Sequence, residues 1–359
     1  MKTVLVVGAG KIGRMVAYML NDSGDYRIRV ADSEQRAIDR LRQQTAGAEG
    51  EVMDFTDKKE IDGVLAGVQA VISCAPFHLN PLIAERARAH EVHYLDLTED
   101  VEVTNEVVAL AKDGAKSAFI PQCGLAPGFI TIVALHLLQP MTKVTDLRLR
   151  VGALPRYPSN MLKYNLTWST EGLINEYCQS CEVVLNGGLT NVQPLENLEE
   201  LTIDGVRYEA FNTSGGLGSL ASTLKDSVRN VNYKSIRYPG HNHLLKFLLY
   251  DLKMRDRQDT LAQIFEECLP RTFKDQIVIF VSATGTFRGH LTENVFARTI
   301  YHQEIGGENW SGIQITTAAG VCAVMDLLFA GELPQQGFVR MEDVNYDKFI
   351  HNRFGRHYA

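Results

Sequence analysis

The apolar run Thr3–Val7 leads straight into Gly8-Ala-Gly10-Lys11-Ile12-Gly13, and an amphipathic pattern opens at Ile12. A strand, three glycines spaced G-x-G-x-x-G and a helix confine this stretch to the strand-turn-helix start of a parallel sheet. Gly8 permits the tight turn, Gly10 lets the backbone approach a diphosphate, and Gly13 lets the helix pack on the sheet. The helix N-terminus adds free N–H groups and partial positive charge at the same place. Asp32 follows 19 residues after Gly13, closing a second β-branched run, Arg27–Ala31. A carboxylate there accepts from adenosine ribose hydroxyls and repels a 2′-phosphate, so NAD is expected over NADP, with Arg36 as a counterweight. Lys11, Ile12 and Ser33 join the expected cofactor contacts. A third run ends in Val52-Met-Asp54-Phe55. Asp54 is placed either to reach the adenine amino group or simply to serve as a loop acid. Cys74-Ala75-Pro76 follows the run Ala70–Ser73, on the edge where such sheets hold their ligands.

The first 125 residues alternate short β-branched runs with amphipathic stretches, the rhythm of a parallel sheet with crossover helices. The remaining runs there are His93–Leu97 and Ser117–Pro121; the amphipathic stretches include Ser33–Gln44, Asn80–Ala89 and Glu102–Asp113. From about Val144 the rhythm changes. Alternating runs such as Asp146–Val151 and Gln276–Ala283 mix with helix patterns at Gly172–Cys178 and Asp259–Cys268, which predicts a mixed sheet in a second domain. Near the end, Thr316–Ala330 reads as a helix with a stop at Gly331-Glu-Leu-Pro334. At 359 residues the chain is long enough for two domains. A net charge of −7, from 36 basic and 43 acidic residues, gives no footprint for nucleic acid or an anionic membrane. Six cysteines are too few for a disulfide scaffold, and the apolar run after Lys2 is too short for a signal peptide. A cytoplasmic protein is expected. Cys178-Gln-Ser-Cys181 has no second pair to complete a zinc site, so no metal is expected; within a helix pattern the two thiols would share one face.

The blocks GLAPGFI (124–130), VGALP (151–155), YNLTWSTEGLINEY (164–177), AFNTSGG (210–216) and YKSIRYPGH (233–241) stand in an order that resembles the saccharopine dehydrogenase family. Within it the chain looks most like the bacterial lysine 6-dehydrogenases. The resemblance implies an α/β fold with an N-terminal Rossmann dinucleotide-binding domain (1–125) and a mixed α+β substrate-binding and dimerisation domain (126–310). A C-terminal segment (311–359) would return to pack on the first domain, and the assembly would be a homodimer. It also implies an oxidoreductase of lysine metabolism that uses a nicotinamide cofactor to oxidise a C–N bond at an amino-acid side-chain nitrogen. Glutamate-forming saccharopine dehydrogenases usually carry an Asp in the block matching GLAPG. Here that residue is Ala126, which tilts the reading towards L-lysine and oxidation of its ε-carbon.

The residues of the second domain suit a zwitterionic amino acid. Arg237 can grip a carboxylate bidentately, and Thr213-Ser214-Gly215 offers hydroxyls and backbone donors to the same group. Tyr164 and Trp168 can wall an aliphatic chain. The amine must lose a proton before hydride can leave, and Glu171, Glu99 and His241 are the candidates to take it. Each has a plain alternative: Arg237 as one half of an ion pair, the aromatics as packing, Glu171 as a helix-start charge, His241 as a loop residue. Two further readings stand beside lysine: saccharopine or another carboxylated amine as substrate, and a non-catalytic NAD-binding sensor.

Overall fold

Strand β1 (Lys2–Val7) has four consecutive apolar residues with almost no exposed surface, because it is flanked by a strand on either side and covered on both faces. The computed structural model describes all residues, Met1–Ala359. They form two compact units, residues 1–132 with 314–359 and residues 133–313.

In the first unit β1 is joined by β2 (Tyr26–Asp32), β3 (Glu49–Val52), β4 (Ala70–Ser73), β5 (His93–Asp96) and β6 (Ala118–Ile120). A two-residue strand, Gly337–Phe338, adds to β6. The order across the sheet is Gly337–Phe338, β6, β5, β4, β1, β2, β3, with every pair parallel. Strand order reverses at β1, whose neighbours are β2 and β4, and such sheets bind ligands at that switch point. Helices α1 (Lys11–Asp22), α2 (Gln35–Gln44), α3 (Lys58–Leu65), α4 (Asn80–Ala89) and α5 (Val101–Lys112) make the crossovers. The run Glu49-Gly-Glu-Val forms a strand despite its charge because it lies at the sheet edge, where its side chains reach water.

The tail helix starts earlier than Thr316, at Gly312, and runs to Phe329. It is long and apolar enough to cross a membrane, but 83% of it is buried within the fold, as befits a core helix. Its end follows the sequence: Gly331 has φ +77°, its N–H donates to the Leu328 carbonyl and that of Glu332 to Leu327, a Schellman closure.

The second unit holds an eight-stranded mixed sheet of β7 (Lys143–Pro155), β8 (Cys181–Leu185), β9 (Gly188–Val192), β10 (Glu199–Ile203), β11 (Val206–Asn212), β12 (Val228–Arg237), β13 (Asp275–Phe287) and β14 (His290–Tyr301). The main path runs β10-β11-β12-β7-β13-β14, with β8 pairing β12 and β9. Only β12 and β7 are parallel. Arg288 and Gly289, both at positive φ, close the β13–β14 hairpin as a two-residue turn. Helices Thr170–Cys178, His241–Lys246 and Gln258–Cys268 contribute Leu173, Tyr177, Leu245 and Phe265 to a core shared with Phe211 of β11.

Two expectations change. The chain leaves the first unit within the helix Phe129–Leu138 and re-enters it at the start of Gly312–Phe329. The unit limits thus fall at 132 and 313, inside or beside helices, rather than at 125 and 310, since no loop marks them. Cys178 and Cys181 do not share a helix face: Cys178 ends its helix and Cys181 begins β8. Both are buried free thiols.

Candidate active site

In the first unit the glycine turn is fixed by backbone. The Gly8 N–H donates to Ala31 and that of Cys74 to Val7, so the ends of β1, β2 and β4 are drawn together. Gly8 has φ +95°, and a Cβ there would stand 2.7 Å from the Cys74 carbonyl oxygen. A Cβ on Gly13 would overlap the Gly8 carbonyl, whereas one on Gly10 would meet nothing within 4 Å. Gly10 therefore faces open space, the cradle that a diphosphate needs. Asp32 accepts from the Ala9 N–H at 2.6 Å through one carboxylate oxygen and from Glu34 at 2.8 Å through the other. It borders a cavity of about 410 Å³ that Lys11, Arg14, Arg36 and Arg40 also line. These residues fit a pyridine dinucleotide, and the cations give the ribose end a feature that Asp32 alone did not suggest.

Of the other expected cofactor residues, Ile12 is half-buried and Ser33 exposed. Cys74 and Ala75 are half-buried after β4, with Pro76 exposed beside them. Burial pushes the Cys74 thiol up to about 12, with the Asp96 charge adding to it. Asp54 is exposed and spends one carboxylate oxygen on the Thr56 N–H and hydroxyl, at 2.8 and 2.7 Å. That is the geometry of a loop acid. Phe55 turns into the core beside Ile61 and Val64, so its side chain serves packing.

Glu99 follows β5, in the loop before α5. Burial pushes its carboxyl up to about 7, and the Asp100 and Asp96 charges push the same way.

The second unit brings Tyr164, Trp168, Arg237 and His241 together. The Arg237 guanidinium lies 5.2 Å from the Tyr164 ring and 5.7 Å from that of Tyr177. Its Nε donates to the Tyr177 hydroxyl at 2.9 Å, one Nη to the Ile236 carbonyl at 2.9 Å and the other to Glu176 at 3.5 Å. Arginine has five N–H groups, so two remain. Tyr177 in turn contacts His241 Nε2 at 3.1 Å, and His241 Nδ1 lies 2.8 Å from the Leu162 carbonyl. A carbonyl can only accept, which places the ring proton on Nδ1 and makes Nε2 the acceptor of the Tyr177 proton. Burial, then the Arg237 charge, lower His241 to about 3. His241 is thus neutral at physiological pH with its lone pair already engaged, a poor position for a base. Trp168 Nε1 donates to the Tyr164 hydroxyl at 3.1 Å.

The hydroxyls expected to meet a carboxylate are spent internally: Thr213 on Ser235 at 2.8 Å and Ser214 on the Asn175 carbonyl at 3.4 Å. Gly215 has φ +81° and its carbonyl accepts from Gly218. Glu171 stands apart, exposed in the first turn of Thr170–Cys178, where an acid complements the helix dipole. Sequence reasoning missed Glu176 and Tyr177. Both lay inside the block YNLTWSTEGLINEY, but only the meeting of that helix with β12 shows that they hold Arg237.

A family model described as "Saccharopine dehydrogenase NADP binding domain" matches residues 4–119, and one described as "Saccharopine dehydrogenase C-terminal domain" matches 124–354. Among curated proteins, the chain is 25% identical over 331 residues to the saccharopine dehydrogenase [NADP(+), L-glutamate-forming] of Pyricularia oryzae, covering 87% of this chain and 71% of that one. It is 24% identical over 252 residues to the mitochondrial alpha-aminoadipic semialdehyde synthase of Bos taurus, covering 65% of this chain but only 27% of the synthase. Among solved structures, apo saccharopine dehydrogenase (L-Glu forming) from Saccharomyces cerevisiae superposes with a TM-score of 0.79 at 16% identity, over 97% of this chain and 96% of that one. The first unit binds a pyridine nucleotide.

Proposed function

This chain belongs to the saccharopine dehydrogenase family, an oxidoreductase family of CH–NH groups, and on that premise we propose that it oxidises the ε-carbon of L-lysine. The observation that carries this reading is the charge content of the Arg237 cluster. It holds one guanidinium, already balanced in part by Glu176, among Tyr164, Tyr177 and Trp168. Two spare N–H groups suit one α-carboxylate, and aromatic walls suit a four-carbon stem. Saccharopine carries three carboxylates and would call for more cations. What favours saccharopine as a second reading is the name of the fungal relative.

A bound pyridine nucleotide supplies the acceptor for the hydride from the ε-carbon. The chain's part is to hold the amino acid through Arg237 and to take the amine proton. His241 is already neutral but has no free lone pair.

The choice between NAD and NADP is a contest within one cavity. Asp32 supports the ribose hydroxyls of NAD, while Arg36 and Arg40 support a 2′-phosphate. We read the site as accepting both, with the balance set by Asp32 against these cations. A homodimer in the cytoplasm goes with this reading as an expectation.

The decisive experiment compares NADH and NADPH formation with L-lysine, L-saccharopine and L-ornithine. Turnover of lysine alone, with a trappable imine, supports the reading. Turnover of saccharopine and not lysine overturns it, and nucleotide binding with no turnover would leave a sensor.

A further inference from the structure

His241 opens the helix His241–Lys246 of the second unit and is 1% exposed. Its backbone is fixed by Glu209 of β11, a buried carboxylate whose two oxygens accept the Asn242 N–H at 2.6 Å and the Gly240 N–H at 2.8 Å. Asn242 adds a bond from Nδ2 to the Leu195 carbonyl at 2.9 Å. The imidazole is enclosed by the rings of Tyr164, Tyr177 and Phe211, with centroids 5.5, 5.9 and 6.3 Å away. The Leu162 carbonyl that takes the Nδ1 proton is held as well, since Lys163 follows it and donates from Nζ to the Pro239 carbonyl at 2.9 Å. Backbone, ring and tautomer of His241 are thus each set by a named neighbour.

We propose that His241 is the positioning residue for the Arg237 guanidinium: by taking the Tyr177 proton on Nε2 it turns the Tyr177 oxygen to Arg237 Nε and leaves the two Nη groups for an α-carboxylate. This rests on the reading of Arg237 as the grip on an amino-acid substrate. A hydroxyl has one proton and two lone pairs. With the proton given to Nε2 at 3.1 Å, the lone pairs face the Arg237 Nε–H, which reaches the Tyr177 oxygen at 2.9 Å. One Nη spends an N–H on the Ile236 carbonyl and the other spends one on Glu176. Each therefore keeps one N–H, and a carboxylate meets the guanidinium end-on and bidentate rather than from the Nε side. At 3% exposure, Arg237 has protein rather than bulk water to hold its Nε in place.

The test compares the affinity for L-lysine with that for cadaverine, which is lysine without its carboxylate, by calorimetric titration of the full-length protein saturated with NADH or NADPH. The ratio of the two affinities reads the grip on the carboxylate, and a loss of stability alone does not move it. Arg237→Lys should erase most of the ratio. Tyr177→Phe and His241→Asn should each lower it roughly tenfold, the worth of one hydrogen bond to a charged group. His241→Gln, whose amide oxygen reaches towards the place of Nε2, should restore most of it. Combined with Tyr177→Phe, His241→Asn should lower the ratio no further, since both act through one hydroxyl. Tyr177→Phe keeps the ring and carries the test if neither His241 variant folds. A ratio lowered by Arg237→Lys but unmoved by Tyr177→Phe or by His241→Asn overturns the role of His241 while keeping Arg237 as the grip. A wild type that binds lysine no more tightly than cadaverine overturns both.

Discussion

The glycine turn and the Arg237 cluster hold their polar groups in opposite ways. Around Gly10 the backbone opens onto empty space, beside Asp32 and a ring of cations whose guanidiniums at Arg36 and Arg40 reach towards solvent. In the second unit Arg237, Tyr177 and His241 satisfy one another in a closed line of donors that ends on the Leu162 carbonyl. The first arrangement is a receptor shaped in advance, because a β-strand, a tight turn and a helix are rigid and need no side chain to complete them. The second is stable because its charge is paired, and a carboxylate that enters must use the two N–H groups left over. Burying a charge without a partner is costly, and Glu176 balances part of the Arg237 charge before any ligand arrives.

The largest effect that would break this comparison is expected within the turn itself. Gly13→Ala places a Cβ on the Gly8 carbonyl and should cost about 3 kcal/mol of stability and abolish nucleotide binding. Gly10→Ala should leave the melting temperature nearly unchanged and weaken nucleotide binding roughly tenfold, since its Cβ enters only the diphosphate's space. Thermal melts with nucleotide titrations read both. If Gly10→Ala binds as the wild type does, the open cradle is not where the diphosphate lies.

The second effect concerns the closed line of donors. His241 is lowered in the folded state, so below pH 6.5 the unfolded chain binds a proton that the folded chain refuses. Its contribution to stability is fully present above the unfolded value and is lost as pH falls from 6.5 towards 3. Denaturant titrations at pH 7 and pH 5 should show this residue removing about 2 kcal/mol, a difference absent from His241→Asn. An equal loss in the variant would mean that His241 is protonated or free.

The smallest effect sharpens the ribose end. Asp32→Asn should raise the preference for NADP over NAD about tenfold, about 1.4 kcal/mol, and replacing Arg36 and Arg40 by Ala should shift it the other way. Ratios of kcat/KM for the two cofactors measure this, and a ratio indifferent to all three residues removes them from the ribose.

The fold of the first unit was legible because its signals are local. Three glycines, Asp32 and the strand-helix rhythm each depend on residues within one strand-turn-helix unit. Gly331 could be read as a helix stop for the same reason. The limits of the units were harder, since both crossings occur at helices whose apolar pattern continues without a linker. In the site, Asp32 and the glycines stood where their spacing put them. Arg36 and Arg40 were visible as residues, but their place in one cavity with Asp32 depends on how α2 packs. Cys178 and Cys181 looked helical because their spacing fits a turn, and the chain instead passes from helix to strand between them.

What the sequence determined by itself is therefore the nucleotide half, where backbone conformation is the function and glycine is the residue that permits it. Tertiary structure decided the rest. Arg237 became an internal cation because Glu176 and Tyr177 come to it from 60 or so residues away. His241 became a neutral acceptor because burial and a nearby guanidinium disfavour its charge. The Glu99 carboxyl was raised to about 7 because burial disfavours its charge, with the Asp100 and Asp96 charges pushing the same way. Protonation depends on dielectric and neighbouring charge, and neither exists until the chain has folded.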